Sequence, residues 1–170
     1  MNFRERLLFL WNFWPPFFFT GIKIQTISKD FRHIEVRLKL HWWNANYVGT
    51  QYGGSLFSMT DPFYMLILLK NLGKDYIVWD KSATIKFIKP GKSTAKAVFM
   101  VNEPILQEIR EQVEQNGKTT KVFSVPIHDA NGELIALVEK NLYIRKKESK
   151  NKIDSSVNTT NNNFDNNKTN

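Results

Sequence analysis

An amide, a glycine pair and a carboxylate fall within the single stretch NYVGTQYGGSLFSMTD, as Asn46, Gly53, Gly54 and Asp61. Bare backbone at a strand-to-helix transition lets a ligand oxygen approach N–H groups at the positive end of a helix dipole, which is the layout of an oxyanion hole. The same two glycines would also serve a tight turn with close helix packing. Asp61 is the residue that asks for an explanation, because the chain continues PFYMLILLK and charged side chains are rarely buried unless paired or used. On a helix, Asp61 and Gly54 would share a face, seven residues and roughly 10 Å apart. One carbonyl cannot reach both, so a functional reading needs two antiparallel copies of the helix, each lending its Asp to the other's glycine end. The competing reading makes Asp61 an N-cap and Pro62 the first helical residue, with FSMT belonging to the approach.

These residues need elements to hold them. IKIQTIS and HIEVRLKLHW alternate apolar and polar side chains and read as two strands of a hairpin. Gly54 to Lys70 is apolar nearly all round, as in a helix buried on most sides, stopped by Asn71 and Gly73. Further strands are expected in YIVWDKSATIKFIKP, TAKAVFMVNE and KTTKVFSVPIHDANGELIALVEKNLYIRK, the last broken by a turn at Asp129 to Gly132. PILQEIREQVEQNG between them is a short charged helix. A long central helix wrapped by an antiparallel sheet, an α+β fold, accommodates that order. The chain divides into an amphipathic aromatic segment over 1–19, one domain over 20–147, and an Asn-rich tail over 148–170 too poor in apolar surface to order itself.

Composition narrows the chemistry. The 170 residues contain no cysteine, which removes disulfides, thiolate metal sites and cysteine nucleophiles and suits a cytoplasmic setting. The net charge of +8 is dispersed, and no five-residue basic block occurs outside RKKESKNK, so nucleic acid is not the expected partner. His33, His41 and His128 show neither metal spacing nor a nucleophile triad. No metal or cofactor is expected. Basic residues precede an apolar run at the amino end, but Pro15 and Pro16 interrupt it far short of the ~20 residues of a membrane span. Asn2 to Trp14 reads as a short amphipathic helix packing on the domain, with weak interfacial membrane contact as a second use. Trp42, Trp43, Trp79 and Phe17 to Phe19 read mostly as core.

The pattern N-x-x-G-x-x-x-G-G followed seven residues later by D resembles the hotdog-fold acyl-CoA thioesterases of the phenylacetate-pathway type. The run YGGSLFSMTDPFYMLILLKNLGKDYIVWDKSATIKFIKPGK is more similar to the uncharacterised DUF4442 branch of that fold. The resemblance covers about residues 20 to 145, within the usual uncertainty of element boundaries. It implies a homodimer or a dimer of dimers that hydrolyses acyl-CoA, with Asn46 and the Gly53 N–H polarising the thioester carbonyl. Asp61 of the other chain would be base or nucleophile, its basicity strengthened by burial among Phe, Met and Leu. Tyr52 stands where the family usually has His, and Asp80 falls near a usual Ser or Thr. Tyr52, Gly54, Asp80, Lys89 and Lys92 are the expected substrate contacts, the two lysines for the coenzyme A phosphates. The aromatic content suits a medium or long acyl chain. A non-catalytic acyl- or CoA-binding module is the alternative.

Overall fold

The computed structural model describes residues 10–147. After a helical turn at Leu10 to Asn12, the elements run α1 (Pro15–Thr20), β1 (Ile22–Ile27), β2 (His33–Leu38), α2 (Gly53–Ser58), α3 (Phe63–Leu72), β3 (Tyr76–Phe87), β4 (Ala95–Met100), α4 (Glu103–Asn116), β5 (Lys118–His128) and β6 (Leu134–Lys146). Six antiparallel strands form one sheet in the order β1-β2-β4-β5-β6-β3. The expected strands and the charged helix are all present. Of the helix expected over Asn2 to Trp14, residues 2–9 lie outside the described residues and the helical turn at Leu10 to Asn12 ends before Trp14; the Asn-rich tail also lies outside the described residues.

Alternation along the strands sends one set of side chains onto the helices. Val36 and Leu38, Ala95, Ala97 and Phe99, Phe123 to Ile127 at every second position, and Val138, Leu142 and Ile144 are all buried. Helix α3 places Phe63, Tyr64, Ile67 and Leu68 against them, with Phe63 on Phe99 at 4.8 Å and Tyr64 stacked on Phe123 at 4.3 Å. Helix α4 is cut to length by its ends: the Asn102 side chain accepts from the Ile105 N–H at 3.1 Å, and Gly117 closes it at φ 73°.

Two expectations change. Pro15 and Pro16 do not merely interrupt the amino-terminal segment; they start α1, where missing N–H donors cost nothing. The central helix is not continuous from Gly54 to Lys70 either. It breaks at Met59 to Pro62 and resumes at Phe63, with a cis Asp61–Pro62 peptide bond in the break. Pro62 lacks the N–H that a continuous helix would use, and the Ser58 carbonyl accepts from the Asp61 N–H at 3.2 Å instead. A helix precedes the Asp-Pro step and another follows it, but Asp61 is not a cap: Pro62 holds the N-cap position of α3 with no side-chain cap, and Phe57 and Ser58 already belong to α2.

Candidate functional site

Between the end of β2 and the start of α2 the chain makes a tight loop organised by Asn46. Its Oδ1 accepts from the N–H groups of Val48 (3.1 Å) and Thr50 (2.9 Å), and its Nδ2 donates to Thr50 Oγ1 (2.8 Å) and the Gln51 carbonyl (3.4 Å). An Asn bonding its own following backbone is a turn former, so the side chain expected to contact substrate holds its own loop. Gln51, buried, ties that loop to the end of β2 and to the segment before β4 by donating Nε2 to the Leu38 carbonyl at 3.0 Å and the Ser93 carbonyl at 2.9 Å. Its Oε1 is buried and unpartnered.

This loop forms one wall of a cleft of about 640 Å³. Asn46, Thr50, Gln51 and Gly53 line it on one side, and Phe87, Lys89 and Lys92 on the other. Gly53 opens α2, so its N–H has no acceptor within the helix. A Cβ at Gly53 would stand 2.8 Å from Cζ of Phe87, so glycine is what lets that ring close over the helix start. Tyr52 is exposed with its ring folded over Gly54, where an added Cβ would meet Cε1 at 2.5 Å. Lys89 is held by Glu133 at 3.0 Å. Asn46, Gly53, Lys89 and Lys92 thus share one cleft, with Tyr52 and Gly54 beside it.

Asp61 is not in that cleft. Its side chain is 60% exposed in the single chain, against the burial expected for it, and Oδ1 accepts from Lys140 Nζ at 2.8 Å. Lys140 Nζ also stands 2.9 Å from Asp80 Oδ2. The buried charge is Lys140, whose side chain is 4% exposed. Lys140 lies on the inner face of β6 between Val138 and Leu142, so its ammonium can be held there only by partners, and both carboxylates converge on it. A bulge between Asp80 and Ser82 sets the geometry: Asp80 pairs with Leu142, and after the extra Lys81 Ala83 pairs with Lys140, which keeps Asp80 and Lys140 on one face. Lys140 escaped the reading of the sequence, yet it falls in phase with Val138, Leu142 and Ile144, while Glu139, Asn141, Tyr143 and Arg145 take the other phase.

The aromatic residues depart from expectation most. Phe17 is 3% exposed and packs on Phe63, but Phe18, Phe19, Trp42, Trp43 and Trp79 are exposed. Among the described residues no cluster of metal-ligating side chains occurs, and no helix is long and apolar enough to cross a membrane.

Residues 5–144 match the family described as a domain of unknown function, DUF4442, and the chain belongs to that family. No curated protein matches the chain. Among solved structures, a Pseudomonas aeruginosa protein described as a "probable thioesterase" superposes with a TM-score of 0.75 at 16% identity, covering 85% of this chain and 96% of its own. A thioesterase from Haemophilus influenzae gives 0.64 at 15% identity, over 88% and 95% of the two chains. The E. coli PaaI protein from the phenylacetic acid degradation operon gives 0.58 at 18% identity, over 86% and 94%. The fold shared with these proteins is the hotdog fold.

Proposed function

We propose that the protein is an acyl-CoA thioesterase whose reaction centre is completed across a homodimer. The observation that carries this reading is the division of the chemistry between two places on one chain. The cleft offers an N–H at a helix start and two lysines but no acid among its lining residues, while Asp61 stands exposed elsewhere with one oxygen held. Two copies would supply what each lacks. The thioesterase class of the structural neighbours supports the same reaction.

In this mechanism the thioester carbonyl oxygen points at the Gly53 N–H, which stabilises the charge that develops on it. Asn46 acts as a positioning residue, because its amide is engaged within the loop that presents Gly53. Asp61 of the other chain takes a proton from water as the water oxygen bonds to the carbonyl carbon. Collapse of the tetrahedral intermediate breaks the C–S bond, and the proton on Asp61 passes to the departing sulfur, giving free acid and CoA. Lys89 and Lys92 at the cleft mouth suit the CoA phosphates, and the apolar wall from Leu56 to Phe87 suits a medium or long acyl chain. Lys140 fixes Asp61 by one oxygen and leaves the other for water.

Two observations favour the second reading, a module that binds acyl-CoA without turnover: both amide hydrogens of Asn46 are occupied, and Tyr52 stands where the thioesterases it resembles usually have His. Thiol release from acyl-CoAs of graded chain length separates the two. Asp61→Asn should lower hydrolysis by about a hundredfold or more, as loss of a general base does. Because Asp80 still holds Lys140 in that variant, its fold should survive. A protein that binds acyl-CoA and releases no thiol would establish the binding module.

A further inference from the structure

We propose that the face built by α1 and the loop after β2 docks the protein on a membrane surface bearing anionic lipid headgroups. Phe18 and Phe19 project from α1, Trp42 and Trp43 from the loop; Trp42 is 88% exposed and Phe19 73%. A shallow depression lined by Phe18, Phe19 and Trp43 together with Lys23, Arg37 and Lys39 joins the two groups into one surface. Leu10, Phe13 and Trp14 extend it, Phe13 stacking on Phe18 at 6.1 Å. Exposed aromatic surface on this scale marks a place where something else is bound.

The aromatics are held outward by a rigid support. Asn44 is buried, donates Nδ2 to the Thr20 carbonyl at 2.9 Å and the Lys39 carbonyl at 2.8 Å, and accepts from the His41 N–H at 2.7 Å. It therefore fastens the end of α1 to the Trp loop. Gly21 admits it: φ is +82°, and a Cβ there would stand 2.8 Å from Asn44 Nδ2. Trp43 stacks on His41 at 4.1 Å and meets Trp42 edge-on at 5.8 Å. Such a preorganised cluster cannot fold back to bury itself.

Charge chooses the occupant. The depression between the two aromatic groups is lined by Lys23, Arg37 and Lys39 and by no Asp or Glu; the acid nearest in register is Glu35, two residues before Arg37 on β2 and engaged by His33 at 2.9 Å. Aromatic rings at headgroup depth, ringed by lysine and arginine, are the signature of an interfacial site on an anionic bilayer. The proposal does not rest on the thioesterase reading, although an amphiphilic acyl thioester would be met at the same surface.

The test is co-sedimentation of the full chain with phosphatidylcholine vesicles, with and without phosphatidylserine. The chain should bind the anionic vesicles, less so as salt is raised, and barely bind the neutral ones. Lys23→Gln with Lys39→Gln should weaken binding by about fivefold per charge removed. Phe19→Ser with Trp42→Ser, both at exposed positions where folding is not at stake, should weaken it by about tenfold or more. Equal binding to both vesicles, no binding to either, or an aromatic variant that binds like the parent would overturn the proposal. A loss of self-association by that variant in light scattering without vesicles would also overturn it, by showing the face to be a contact between copies of the chain.

Discussion

Lys140 inverts the question that the sequence poses about Asp61. An acid before PFYMLILLK looks like the strained charge, yet the lysine is the desolvated one and the acids remain partly in water. Removal of the partners should therefore be asymmetric. Asp61→Asn with Asp80→Asn leaves an unpaired ammonium inside the sheet and should cost about 3 kcal/mol, the low end for orphaning a buried charge because both carboxylates keep some solvent. Lys140→Met fills the same volume and leaves two carboxylates that both reach water, Asp61 more than Asp80, so it should cost less than the double variant, about 1 kcal/mol. Urea midpoints of the two proteins, compared at equal m-values, check this; a Lys140→Met protein that loses as much as the double variant would mean that the triad holds α3 in place. The residue was legible in principle, since the β6 alternation puts it on the inner face, but nothing in sequence fixed the bulge at Lys81 that aims Asp80 at it.

At the scale of elements, periodicity revealed nearly all of the fold because each strand buries one face and each break carries Gly, Pro or Asn. What it could not rank was the Asp-Pro step, where capping and kinking rules act together and the helix both ends and restarts. Where a cap does act alone the consequence is simple. Asn102→Ala removes the acceptor of the Ile105 N–H and should cost about 1 kcal/mol in thermal or denaturant unfolding. Helix α3 brings a pH dependence of its own through Tyr64, buried against Phe123. Burial raises the pKa of the phenol, and a hydrogen bond with the Met100 backbone opposes that only in part. The unfolded chain then ionises first, so this contribution is whole below about pH 10 and is lost as pH rises through the folded value. Tyr64→Phe should flatten that alkaline decline; an unchanged slope in the variant would assign the decline to other groups.

At the scale of the whole molecule, the sheet ends at β3, a strand of 12 residues paired on one side only, with Trp79, Phe87 and Ile88 exposed on it or at its end. A long edge of that kind invites pairing with another chain, and Phe87 at its far end is also a wall of the cleft. Dimerisation through this side would let Asp61 of one copy approach Gly53 of the other, which mixing of inactive chains can test. Asp61→Asn keeps Gly53, and Gly53→Leu, which crowds Phe87 and fills the cleft, keeps Asp61. If each centre draws on both chains, random re-pairing makes half the dimers mixed, each with one intact centre. The mixture should then recover about a quarter of the parent's thiol release, while either variant alone has almost none. If each centre were built within one chain, every centre in the mixture would carry a lesion and nothing would be recovered. Dimers confirmed by light scattering and shown to exchange subunits make that second outcome decisive against a shared site.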